Sequence, residues 1–247
     1  MQKDKPRRID QLLVELGLTE SREQGQRLLL AGAVSVDGQP VTKPGQKVDP
    51  ACRITLAARE QFVSRGGMKL QRALEYFSLP VAGRICLDIG ASTGGFTDCL
   101  LQNGAARVIA LDVGQGLLHW RLRQDERVTL LEKFNARCLT SADLPAVPDL
   151  VTLDVSFISL AKVLPAVNSV LPSGGRILAL IKPQFEAGRA QVQRGGVVRD
   201  PAVRAQVVDQ VRAFGETELG WKCQGVCESP ITGPAGNVEF LILWEKP

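Results

Sequence analysis

Asp154 closes the apolar run LVTLD and Lys182 closes RILALIK, so each polar residue leaves a stretch that reads as a buried strand. Parallel strands release their carboxyl ends on one side of a sheet, so the two side chains are expected in one crevice. Lys69, opening a helix-like stretch, and Glu239, in the last apolar run, could complete a cluster of two cations and two carboxylates. On the residues alone, Lys69 and Glu239 also read as surface charges. Such a cluster suits proton removal from an alcohol: a lysine whose proton affinity is lowered by a neighbouring cation and partial burial, with its amine oriented by Asp154.

The stretch LDIGASTGGFTDCLL, residues 87–101, reads as strand, glycine turn and helix. It lacks the G-x-G-x-x-G spacing of a dinucleotide loop, and no G-x-x-x-x-G-K-[ST] phosphate cradle occurs in the chain. Instead, Asp88-x-Gly90-x-x-x-Gly94-Gly95 sets a carboxylate where phosphates would be repelled. A cofactor with an ammonium and a sulfonium but no phosphate fits, and S-adenosylmethionine is such a molecule. Gly90, Gly94 and Gly95 would let the backbone close around its methionine part, Ser92 and Phe96 belong to the same turn, and Asp88 would favour the cation. An ordinary strand, turn and helix can also carry three glycines. Asp112 ends the next strand, 24 residues after Asp88, where an acid can accept hydrogen bonds from ribose hydroxyls or cap a turn. Asn135, after the third strand, could contact adenine.

From residue 84 onward the apolar runs ICLDIG, RVIALDVG, VTLLEKF, LVTLDVSF and RILALIKP alternate with helical or loop stretches. Near-continuous apolar strands with intervening helices predict an α/β fold, a mostly parallel sheet covered on both faces. A last helix, PAVRAQVVDQVRAFGETE, precedes two strands, KCQGVCES and VEFLILWEK, spaced to pair as a hairpin. Residues 1–59 read as a small α+β domain of two amphipathic helices and a hairpin at Asp37-Gly38. Residues 60–65 read as a linker, and 66–247 as the larger domain. Lys and Arg outnumber Asp and Glu by ten to seven in residues 1–59 and by twenty to nineteen in the rest. The basic excess therefore sits mainly in the small domain, which could present Arg8, Arg22, Arg27, Lys43 and Lys47 to a phosphate backbone or simply to solvent.

No apolar run approaches the ~18 residues of a membrane span, and the N-terminal MQKDKPRRID has no apolar signal core, so a cytoplasmic protein is expected. The six cysteines are scattered, with no zinc spacing, and read as reduced thiols; no metal is expected. His119 is the sole histidine and reads as a surface or cofactor-side residue. Methylation of an exocyclic amine would call for a motif such as N-P-P-Y after strand four, where this chain has DVSF, and no cysteine has the setting of a pyrimidine-carbon nucleophile. A ribose 2′-hydroxyl suits the Lys–Asp chemistry better.

The segments RRIDQLL, SREQGQRLLLAGAVSVDG and KPGQKV resemble the S-four-type RNA-binding domain, with Gly25 where that pattern usually has alanine. Through SRGGMKL, LDIGASTGGFTDCLL, LRQD, DVSFISL, KPQFEAGR, GGVVRDP and SPITGPAGNVEF, nearly the whole chain resembles the TlyA-type, haemolysin-A-like rRNA methyltransferases, with an FtsJ-like catalytic domain. That resemblance implies a Rossmann-like class I methyltransferase sheet and S-adenosylmethionine as cofactor. It places a Lys-Asp-Lys-Glu tetrad on Lys69, Asp154, Lys182 and Glu239. The implied activity is 2′-O-methylation of cytidine in ribosomal RNA, free or in a subunit. Gln115 and His119 depart from the aromatic and the small residue common there. Two other readings stay open: a catalytically idle RNA-binding or assembly factor, and a membrane-lytic haemolysin.

Overall fold

A computed structural model describes residues 5–56 and 61–247, and the chain divides into two units, Met1–Glu60 and Gln61–Pro247. In the first, β1 (Arg7–Arg8) leads into α1 (Ile9–Glu15) and α2 (Arg22–Leu30), then β2 (Val34–Val36), β3 (Gln39–Pro40), β4 (Lys47–Val48) and β5 (Ile54–Leu56). Ser21 caps α2, its hydroxyl accepting from the Gln24 N–H at 3.2 Å. Asp37 and Gly38 both take positive φ, as a tight hairpin turn between β2 and β3 requires. Ile9, Leu12, Leu13, Leu29 and Val34 form the small core. Gly25 has a packing reason: a Cβ there would stand 3.2 Å from Leu13 Cδ1, so the glycine lets α2 close on α1.

The second unit comprises α3 (Gly66–Tyr76), β6 (Ile85–Ile89), α4 (Gly95–Gln102), β7 (Arg107–Leu111), α5 (Trp120–Arg123), β8 (Val128–Leu131) and β9 (Leu150–Leu153). It continues with α6 (Leu164–Val170), β10 (Arg176–Ile181), α7 (Pro183–Glu186), α8 (Pro201–Thr217), β11 (Lys222–Glu228) and β12 (Phe240–Glu245). One seven-stranded sheet has the order β11-β12-β10-β9-β6-β7-β8. Five strands are parallel, and the β11–β12 hairpin adds antiparallel to β10 at one edge. This is the mostly parallel α/β sheet that the alternating apolar runs predict, in the Rossmann-like form that the family resemblance implies. Successive residues of β6 supply both faces: Cys86 packs with Leu70, Ala73 and Leu100 of α3 and α4, while Leu87 and Ile89 pack with Val163, Leu164 and Val167 around α6. Chain order runs outward from β6 through β7 to β8 on one side and from β9 to β10 on the other. The crevice at such a switch point opens beyond the carboxyl ends of β6 and β9.

The expected linker over 60–65 needs correction where it can be seen; Glu60 lies outside the described residues. Phe62 is buried in the core of the second unit, and the Val63 N–H donates to Asp98 Oδ2 at 2.8 Å. The Phe62 ring, with Val63 packed beside it against the same core, is what ties the stretch down. Among the described residues, no helix is long and apolar enough to cross a membrane, and no His/Cys/Asp/Glu group could hold a metal ion.

Candidate active site

Two adjoining cavities open at the switch point, of about 260 and 520 Å³, and share Gly90, Ser92, Asp154 and Ser156 in their walls. Lys69, Asp154 and Lys182 face the smaller one. Lys182 Nζ stands 2.6 Å from Asp154 Oδ1, off the hydrogen-bond axis, and donates to Ser156 Oγ at 2.8 Å. Lys69 Nζ donates to Glu239 Oε2 at 2.6 Å. Glu239 is only 1% exposed and sits behind Lys69 rather than in the cavity wall. The structure thus brings the four residues into two Lys–carboxylate pairs, supplied by α3, the ends of β9 and β10, and the start of β12. The two that the residues alone left as surface charges are among the most buried polar side chains of the chain.

The glycine turn is built in layers. Gly90, at φ +85°, lets the turn after β6 pass tightly against the end of β9, since a Cβ there would stand 2.6 Å from the Asp154 carbonyl oxygen. Gly90, Ser92, Gly95 and Phe96 line the smaller cavity. Gly94 does not: its φ is +99°, and a Cβ would run into Leu118 and Leu122, so this glycine serves the packing of segment 118–122 on the turn. Asp112 and Asn135 line the larger cavity. Asp112 Oδ2 accepts from the Ser92 N–H at 2.8 Å and Oδ1 from the Gly114 N–H at 2.7 Å, which fixes two wall segments to one carboxylate. Asn135 Oδ1 accepts from the Arg137 N–H at 3.1 Å, capping a short turn.

Asp88 corrects the expectation of a carboxylate facing the cofactor. It lies one residue inside the end of β6, is fully buried, and lines neither cavity. Its oxygens accept from the Thr97 hydroxyl at 2.6 Å and the Thr152 hydroxyl at 3.1 Å, bridging α4 to β9 beneath the turn. Burial pushes its carboxyl up to about 7 against those two hydrogen bonds. A carboxyl raised in the folded state favours folding fully below the unfolded value of about 4, and that contribution is lost as pH rises to about 7. Asp88→Asn should therefore gain stability relative to wild type between about pH 4 and 7, read from denaturant midpoints. Parallel midpoint curves would contradict a buried, proton-holding Asp88.

In the small unit, the basic residues fall into two groups. Arg8 is bidentate to the buried Asp10, with both hydrogen bonds at 3.0 Å, and Arg22 Nε donates to Asp10 Oδ2 at 2.8 Å. The Arg8 guanidinium holds the Asp10 carboxyl well below the usual carboxylate range, while half of each arginine side chain stays exposed. Lys47 is the register partner of Arg8 across the β1–β4 pair, so these three cations share one surface region. Arg27 and Lys43 are exposed and in no ion pair among the described residues, and the hydrogen-bond partners of Asp10 there are Arg8, Arg22 and Gln26.

Two side chains at the cavities carried no usable sequence signal. Ser156 orients Lys182, but one serine in DVSF looks like any other. Phe157, 91% exposed at the rim of the larger cavity, has φ +63°, a left-handed conformation rarely taken by a bulky residue, and its ring leans on Phe185 at 5.1 Å. Backbone conformation of this kind is invisible in residue order.

The sheet order, the glycine turn at the switch point and the Lys–carboxylate pairs define a Rossmann-like methyltransferase domain, carried on a chain with a second, small unit. The FtsJ-like methyltransferase model matches residues 62–246 and the S4 domain model residues 7–52. The chain belongs to the TlyA family of FtsJ-like methyltransferases. Over 239 residues it is 50% identical to the 16S/23S rRNA (cytidine-2'-O)-methyltransferase TlyA of Mycobacterium tuberculosis, covering 96% of this chain and 88% of that protein. It is 37% identical to the 23S rRNA (cytidine-2'-O)-methyltransferase TlyA of Campylobacter jejuni, over 76% of this chain and 72% of that one. A solved Streptococcus thermophilus protein carrying the name hemolysin superimposes with a TM-score of 0.75 at 45% identity, over 98% of this chain and 88% of that one.

Proposed function

We propose that this protein transfers a methyl group from S-adenosylmethionine to the 2′-hydroxyl of a cytidine in ribosomal RNA. The observation that carries the reading is the pair of lysines, each held by a carboxylate, at one cavity that adjoins a second, larger and mostly apolar one. The larger cavity suits the cofactor: apolar Leu111, Val113, Leu117 and Ile158 for adenine, Asp112 for ribose hydroxyls, and at Gly90 a wall with no side chain where the two cavities adjoin. When bound there, S-adenosylmethionine supplies an electrophilic methyl on a sulfonium. The chain's own residues prepare the acceptor. Lys182, as the free amine, takes the proton of the ribose hydroxyl, and Asp154 and Ser156 aim its nitrogen. Lys69 faces the developing negative charge on the ribose oxygen, kept in place by Glu239. The ribose oxygen so prepared would accept the methyl that the cofactor supplies. Arg8, Arg22 and Lys47, together with Arg27 and Lys43, supply phosphate contacts from the small unit.

Phe157 offers the target cytosine an aromatic face beside Asp154 and Ser156. Phe157→Ala should raise the KM for RNA by roughly 5- to 150-fold, the equivalent of ~1–3 kcal/mol of base stacking, with cofactor affinity unchanged. An unaltered KM would remove Phe157 from the substrate site. The activity itself is tested by following labelled methyl from S-adenosylmethionine into purified rRNA and ribosomal subunits. Incorporation into at least one of them is expected; a folded, cofactor-binding protein that labels neither would overturn the proposal.

A further inference from the structure

Between Glu186, whose carboxylate accepts from Ser159 Oγ and the Leu160 N–H, and Asp200, which caps α8, segment 187–199 carries Arg189, Arg194 and Arg199 and no acidic residue. All three arginines are exposed, and none forms an ion pair or a side-chain hydrogen bond among the described residues. The segment is nonetheless built to hold one shape. Gln193 and Val197 form a β-bridge, and the Gly196 N–H donates to the Gln193 carbonyl at 3.0 Å. Gly195 and Gly196 take φ of +91° and +75°, so the reversal turns directly after Arg194 and leaves it at the tip.

Asn237, 1% exposed, anchors this tip. Its Oδ1 accepts from the Val198 N–H at 2.9 Å, and its Nδ2 donates to the Gly196 carbonyl at 2.8 Å. The same residue's carbonyl accepts from the Gly233 N–H at 2.9 Å, within the stretch whose Ile231, Thr232 and Pro234 wall the smaller cavity. A buried amide thus couples the arginine-bearing turn to the cavity wall, two residues before Glu239. Three guanidiniums, unpaired among the described residues, one at the tip of this ordered turn and two flanking it, fit a run of phosphodiesters, which accept from arginine's planar donor fork.

We propose that the turn at 193–197, with Arg189, Arg194 and Arg199, is an RNA-backbone contact of the catalytic unit, distinct from the small unit's basic residues, and that Asn237 is its positioning residue. This rests on the reading of rRNA as substrate. In the full chain, the triple substitution Arg189→Ala, Arg194→Ala, Arg199→Ala should weaken binding to transcribed 16S and 23S rRNA by on the order of 10²-fold at 0.1 M salt. The slope of log affinity against log salt should become shallower by about 2, at roughly 0.7–0.9 per phosphate contact. Cofactor affinity should be unchanged. Asn237→Ala keeps every charge, so it should retain the wild-type salt slope while affinity falls and the KM for RNA rises. If the triple variant binds with wild-type affinity and slope where wild type binds tightly, the turn is not an RNA contact, and its charges serve solvent or a protein partner. A wild-type chain that binds neither RNA overturns the substrate reading, and this proposal with it.

Discussion

Lys182→Ala is expected to lower kcat for methyl transfer by about 10²- to 10⁴-fold, the range for loss of a positioned general base. Cofactor affinity should stay within a few-fold, because the larger cavity takes its walls from segments around Asp112 and Asn135 rather than from Lys182. The variant should also fold. Lys182 leaves behind Asp154, whose side chain is 21% exposed and can be hydrated, so the loss falls on turnover. Single-turnover methyl transfer with calorimetric cofactor binding on the same sample separates the two effects. Near wild-type turnover would remove Lys182 from the chemistry.

Residues at strand ends proved far more legible than residues within or behind them. Asp154 and Lys182 were readable because apolar runs stop at them, and a parallel sheet delivers such ends to one side. Asp88 looked equivalent but lies one position earlier, where strand alternation turns it into the layer between α4 and β9; a single step in register changed its neighbours from a cavity to two threonine hydroxyls. Gly94 belonged to the expected motif for a different reason, making room for Leu118 and Leu122 from a segment some 25 residues on. Lys69 and Glu239 meet across 170 positions of sequence, a pairing that residue types alone do not encode and that only the family resemblance suggested. The orientation of Phe157 depends on a backbone angle, which residue identity argues against rather than for.

The Lys69–Glu239 pair should show a separation between stability and activity. With Glu239 buried and Lys69 nearly so, Lys69→Met strands a carboxylate without its cation and should cost about 3–5 kcal/mol, the usual penalty for breaking a buried pair. In a domain of this size that corresponds to a fall of roughly 10 °C in Tm. The double variant Lys69→Met, Glu239→Leu removes both charges and should recover most of the lost stability, since apolar replacements of buried pairs are often neutral. Its methyl transfer should remain as low as that of Lys69→Met, because the cation at the ribose oxygen is still missing. A double variant that regains activity together with stability would show the pair to be structural only.

The most direct test of the central claim is the identity of the methylated nucleoside. rRNA labelled by the wild-type protein, digested with nuclease and phosphatase, should yield 2′-O-methylcytidine by mass spectrometry, with the added 14 Da on the ribose fragment. A methyl found on a nucleobase would contradict the assignment of Lys182 and Lys69 to a ribose hydroxyl.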